Sequence, residues 1–290
     1  MSAANWPADA RPWGIEGVTV RFGSRVALDD VGLEARPGQV TGVVGGDGAG
    51  KTTLLRTLVG LQPIDAGSVR RPEAHHIGAM PATSGTWPDL SVDENIAFAA
   101  HAYGVDRTAT AGRIADLLER TGLTPFRSRL AGHLSGGMRQ KLGVVCAVVH
   151  APDLLVLDEP TTGVDPVSRG DLWSMLAIEA ARGAAVVFAT TYLDEAERAT
   201  RLVVLDRGRR LADDSPDAIA ASVPGRIVVP ERPDGTDAAR AWRRRGTWPD
   251  LSVDENIAFA AHAYGVDRTA TAGRIDDLLE RTGLAPFRSR

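Results

Sequence analysis

Three short segments in a fixed order constrain this chain more than anything else in it: GGDGAGKT at 45–52, LSGG at 134–137 and LLVLDEP at 154–160. The first follows a short apolar run, 39–44, and opens a helical pattern near Lys51. A glycine-rich turn joining a buried strand to a helix is the context that gives such a motif meaning. The third sets four apolar residues ahead of two carboxylates, so the acids stand at the C-terminal end of a buried strand, where ligands sit in parallel α/β sheets.

Around these anchors strand and helix patterns alternate. Residues 15–20 and 32–35 alternate as strands of a small antiparallel sheet, whereas 154–157, 185–189 and 202–205 are continuous apolar runs. The last two follow helical patterns at 166–182 and 194–199, and 92–149 reads as helical. The expected architecture is α/β: a mainly parallel sheet flanked by helices, a small antiparallel β subdomain, and an inserted α-helical subdomain at about 85–150.

The chemistry follows from the residue types. Gly45, Gly48 and Gly50 let the loop, with Gly46, Asp47 and Ala49, curl so that successive N–H groups point at phosphate oxygens. The N-terminus of the helix adds positive potential. Lys51 would reach the β- and γ-phosphates, and the hydroxyl of Thr52, followed by Thr53, would bind Mg²⁺. Lys51 and Lys141 are the only lysines, so a compact ammonium is kept where a phosphate needs one. Asp158 would bind Mg²⁺, directly or through water, and Glu159 would polarise the attacking water as general base. The Asp47 carboxylate would be mildly unfavourable facing a triphosphate and neutral facing solvent; the second is expected.

The order of the three motifs resembles the nucleotide-binding subunit of an ATP-binding-cassette (ABC) transporter, over about 14–221 and most of all in bacterial exporters of the drug-resistance type. The resemblance implies a P-loop NTPase core that binds ATP with Mg²⁺. It also implies that Leu134, Ser135, Gly136 and Gly137 form a signature in which Ser135 and the two glycines contact the γ-phosphate of ATP held by a second subunit. Asp165, in TTGVDP, would lie on the D-loop crossing the same interface. Phe22, in VRFG, stands where the family stacks an aromatic ring on adenine, a core Phe being the alternative. The implied partners are a second ABC ATPase subunit, in a head-to-tail homo- or heterodimer, and an integral membrane permease on a separate chain. The helical subdomain and the loop near 82–90 would contact that permease, with this chain cytoplasmic and peripheral on the inner face of the membrane.

Two positions depart from the family. Its Gln after the strand entering the helical subdomain is Ala82 here, in Met80-Pro81-Ala82, and no glutamine lies between Gln62 and Gln140. Its switch histidine is Thr191, in Thr190-Thr191-Tyr192-Leu193-Asp194-Glu195-Ala196, and no histidine lies between His150 and His262. Both family groups sense the γ-phosphate or position water. Their loss predicts that ATP binds well and is hydrolysed slowly at the chain's own site, since one preorganised donor is worth about 10²–10³ in rate.

The remainder sets bounds. An ABC nucleotide-binding domain at 14–222 would be followed by a Pro-, Arg- and Asp-rich linker, 223–245, and then by 246–290, which repeat 85–129 with two changes: Ala115 becomes Asp276 and Thr124 becomes Ala285. The copy carries no glycine loop, LSGG or paired acids, so it is not a second ATP site. A tandem protein cut short, a duplication or assembly error, and exchange with 85–129 of a neighbour are the three readings. The second is preferred, because a second cassette would bring its own glycine loop first. A net charge of −4 gives no reason to expect nucleic-acid binding. The span 52–134 has no room for the long coiled coil of an ABC ATPase acting on DNA, and an ATP-binding regulatory module without useful catalysis stands as the alternative function. Cys146, alone in an apolar run, reads as a buried thiol in a reducing compartment. No run approaches the roughly 18 apolar residues of a membrane helix, and the N-terminus lacks the apolar core of a signal peptide.

Overall fold

In the computed structural model, which describes residues 12–222 except Arg107, one helix is sandwiched between two sheets. The linker and repeat expected at 223–245 and 246–290 lie outside the described residues. The smaller sheet is antiparallel, in the order β2 (Arg25–Ala35), β1 (Trp13–Phe22), β4 (Ala66–Arg70). The larger runs β5 (Ile77–Met80), β6 (Leu154–Asp158), β7 (Ala185–Thr190), β3 (Val40–Val44), β8 (Arg201–Asp206), β9 (Arg209–Asp214), parallel from β5 to β8 and antiparallel at β9. The expected α/β class holds, and so do both the antiparallel and the helical subdomains.

The continuous apolar runs are explained by burial on both faces of the large sheet. Period-two alternation sends Leu154, Val156 and Val43 to one face, against Leu54, Leu55 and Leu58 of α1 (Lys51–Val59) and Val18, Leu28 and Val31 of the small sheet. Leu155, Leu157 and Phe188 point the other way, into a core shared with the remaining helices. Leu54 and Leu58 are fully buried, each contributing about 1.5–3 kcal/mol to holding α1 in place. That placement fixes the glycine loop at the C-terminal edge of β3.

The helical insertion comprises α2 (Val92–Ala102), α3 (Ala111–Arg120) and α4 (Gly136–Val148). Ser91 and Glu94 start α2 with a reciprocal capping box. Ile96, Ile114, Leu117 and Leu118 meet Leu142 and Val145 of α4 in a common core. Arg113 binds the carbonyl of Val148 and the carboxylate of Glu179, at 2.6 Å each, tying α3 to α4 and to α5 (Pro166–Ala181). Burial pushes the Cys146 thiol up to about 12, in keeping with an inert thiol. The helix expected at 194–199 is only one turn, α6 (Leu193–Ala196), ahead of β8. A last helix, α7 (Pro216–Ser222), closes the described chain.

Candidate functional site

A cavity of about 360 Å³ opens where β3 and β6 end, lined by Phe22, Arg25, Ala27, residues 47–53, Ala82, Asp158 and Glu159. Its floor is the turn into α1. Gly48 and Gly50 take φ of +76° and +108°, a region closed to most side chains. A Cβ on Gly50 would also stand 2.8 Å from the Ala27 carbonyl oxygen. No side chain caps the start of α1, so its first amides are left for an anion. Asp47 sits exposed on the rim.

Lys51 is 8% exposed and its ammonium donates to the carbonyls of Gly45, at 2.8 Å, and Gly46, at 3.2 Å. It stands 3.9 Å from Glu159 Oε1. A buried ammonium held over a ring of main-chain groups is a ready partner for a phosphate.

The Thr52 hydroxyl donates to Asp158 Oδ2 at 2.8 Å. Asp158 Oδ1 is buried and has no hydrogen-bond partner. Such an acceptor costs about 1–3 kcal/mol if nothing satisfies it. Hydroxyl and carboxylate oxygens together are the hard donors that suit Mg²⁺, so the residues present fit that ion.

Glu159 is held in an unusual backbone state, with φ of +50°, at a cost of order 1–3 kcal/mol. Its N–H bonds the Ala189 carbonyl at 3.0 Å, which pins it beside β7. Burial pushes its carboxyl above the usual range, and Asp158 adds to this; the Thr162 hydroxyl, Lys51 and the Thr191 amide oppose the shift. A carboxylate with raised proton affinity is a better general base near neutral pH.

The remaining expected residues divide. Phe22 lines the cavity and is 52% exposed, so it is a free aromatic face and not a core residue. Ala82 also lines the cavity, offering only a methyl group and a carbonyl that accepts from Gln140 at 3.3 Å. Thr191 is exposed next to Glu159, with no ionisable group. None of residues 134–137 lines the cavity. Ser135 caps α4 through a bond from the Met138 amide at 3.2 Å, and a Cβ on Gly137 would touch Val164 at 3.4 Å. The LSGG turn therefore packs on the loop that leads to Asp165, which caps α5 by accepting from the Ser168 amide. Sequence reasoning missed Arg25, a cation in the cavity wall three residues after Phe22, and Thr162, which bonds Glu159 at 3.2 Å.

Residues 28–162 match the family model described as ABC transporter. A probable multidrug ABC transporter ATP-binding protein, YbhF of Escherichia coli (strain K12), is 43% identical over 231 residues, covering 76% of this chain and 40% of that protein. The chain thus spans well under half the length of that relative. Nod factor export ATP-binding protein I of Burkholderia orbicola (strain AU 1054) is 34% identical over 262 residues, 87% of this chain and 82% of that one. Among solved structures, an ATP binding subunit of an ABC transporter superposes with a TM-score of 0.68 at 28% identity, covering 72% of this chain and 92% of the other.

Proposed function

Because the chain belongs to the ABC transporter ATP-binding family, we propose that it binds and hydrolyses ATP to energise an exporter whose permease is a separate chain. The observation that carries this is the convergence of Lys51, Thr52, Asp158 and Glu159 at one cavity floored by the uncapped start of α1. Lys51 and the loop amides hold the phosphates. Thr52 and Asp158 would hold Mg²⁺, which when bound neutralises developing phosphate charge. Glu159, strained and of raised proton affinity, takes the proton of the attacking water. Phe22 offers its exposed ring to the base.

The Ser135–Gly137 turn serves a cavity other than its own. We infer a head-to-tail dimer in which this turn completes the partner's site and the partner's turn completes this one. Ala82 and Thr191 make the chain's own site a slow one, and they favour a heterodimer in which the partner carries the faster site. Among the described residues no helix is long and apolar enough to cross a membrane, so membrane attachment is assigned to the permease, at the cytoplasmic face. A second reading, an ATP-binding regulatory module, draws on the same two positions and is opposed by the intact Glu159.

Steady-state MgATP turnover of the purified chain beside Glu159→Gln, with nucleotide binding measured in the same samples, tests this. Turnover below the enzyme median of about 10 s⁻¹, abolished in the variant while binding persists, is the expected result. Binding without turnover in either protein would select the regulatory module. Co-purification with an integral membrane protein tests the transport assignment.

A further inference from the structure

Glu195 is 1% exposed and does not line the nucleotide cavity. Among the described residues no salt bridge reaches it. Its Oε1 accepts from the Thr161 hydroxyl and its Oε2 from the Thr190 hydroxyl, the latter at 2.7 Å. Thr161 and Thr190 are themselves buried, at 1% and 0% exposure. One lies two residues beyond Glu159, in the loop leaving β6; the other ends β7, directly before Thr191. The Thr190 oxygen also accepts from the Tyr192 amide at 3.0 Å, closing a turn around Thr191.

Burying a carboxylate without a cation is expensive, and an apolar residue of similar size would fill the space at less cost. Two charge-assisted hydroxyl bonds offset the cost here. The donors come from the loop that follows the general base and from the end of the neighbouring strand β7. The Thr191 main-chain amide is near enough to Glu159 to favour its charged form, while the Thr191 side chain carries no charge. The position of that amide is set by the Thr190–Tyr192 turn.

We propose that Glu195 is a positioning residue for ATP hydrolysis: through Thr161 and Thr190 it locks the Glu159 loop to the turn around Thr191, and so holds the general base in place although the side chain at 191 carries no charge. This rests on the reading of the chain as an ATPase. Glu195→Gln weakens the clamp, because an amide has one acceptor oxygen where the carboxylate has two, and it loses the charge that strengthens both hydroxyl bonds. Thr161→Val and Thr190→Val remove one donor each and keep the shape, and Thr161→Ser and Thr190→Ser restore the hydroxyl.

The test is single-turnover hydrolysis of radiolabelled MgATP by the full chain, alongside the MgATP Kd and the melting temperature. The Gln and Val variants are expected to lose about 10- to 100-fold in rate with Kd unchanged, and the Ser variants to recover most of it. If Glu195→Gln does not fold, the two Val variants carry the comparison. A folded variant hydrolysing at the wild-type rate would overturn the proposal, and so would losses of rate and binding that simply track melting temperature. Wild-type protein that binds ATP without cleaving it would remove the ATPase reading itself, a result distinct from intact hydrolysis in both wild type and variants.

Discussion

One wall of the cavity presents Lys51, Thr52, Asp158 and Glu159, four charged or polar side chains at the junction of β3 with α1 and at the end of β6. A second wall carries Ala82, with Thr191 beside Glu159 just outside the lining: a methyl group and an uncharged hydroxyl on loops leaving β5 and β7. The two walls divide the labour of an ATPase. On the proposed reading, the groups that would hold phosphate are mostly main-chain amides and one ammonium, rooted in the core through Leu54 and Leu58. Groups that would report on the γ-phosphate are side chains on loops, and these can be lost without disturbing a strand or a helix. Binding and turnover are therefore separable here, because they rest on different kinds of structure.

The comparison is broken most decisively by rebuilding the poor wall. Ala82→Gln combined with Thr191→His is expected to raise steady-state MgATP turnover about 10²-fold, the worth of a preorganised donor at developing charge, with Kd for ATP little changed. Ala82 already lines the cavity, so a longer side chain there has space to enter. No gain in turnover would mean that the main-chain groups at those positions already suffice.

A smaller effect is expected on the binding wall. Phe22→Ala removes an exposed ring, and stacking on a base is worth about 1–3 kcal/mol. The Kd for ATP measured by titration should rise about 10-fold, while the rate of bound ATP stays the same. A change in rate with no change in Kd would place Phe22 on the wrong side of the comparison.

Much of this was legible in the sequence because the binding wall is local. Residues 45–53 run from the end of β3 through the glycine turn into α1, 47–53 of them lining the cavity in one stretch, and Asp158-Glu159 close a strand that reads as buried. The strands at 154–157 and 185–189 were found because burial on both faces leaves unbroken apolar runs. The charged edge strand β9 (RRLADD) carries no such signal, since it pairs only with β8 and leaves most of its side chains exposed. Nor does the short β5. Arg25 reaches the cavity through the hairpin between β1 and β2, and Glu195 meets Thr161 across 34 positions. Contacts of that kind come from register and topology, to which no local pattern points.

The smallest expected effect concerns the segment that follows the poor wall. In the described copy the two positions that differ from 246–290, Ala115 and Thr124, are both exposed, whereas Val92, Ile96, Ile114, Leu117, Leu118 and Leu123 are buried and repeated unchanged. These six buried residues are thus each present twice in the chain, but 85–129 is anchored at both its ends, to β5 and to α4, and already covers that face. Exchange would trade identical contacts for no gain. A variant ending at Ser222 should therefore melt within about 2 °C of the full chain, as expected for a change of no more than about 0.5 kcal/mol, and keep its ATP turnover. A clear drop in melting temperature would show that the copy packs usefully, and a change in turnover without one would show that it acts on the wall bearing Ala82.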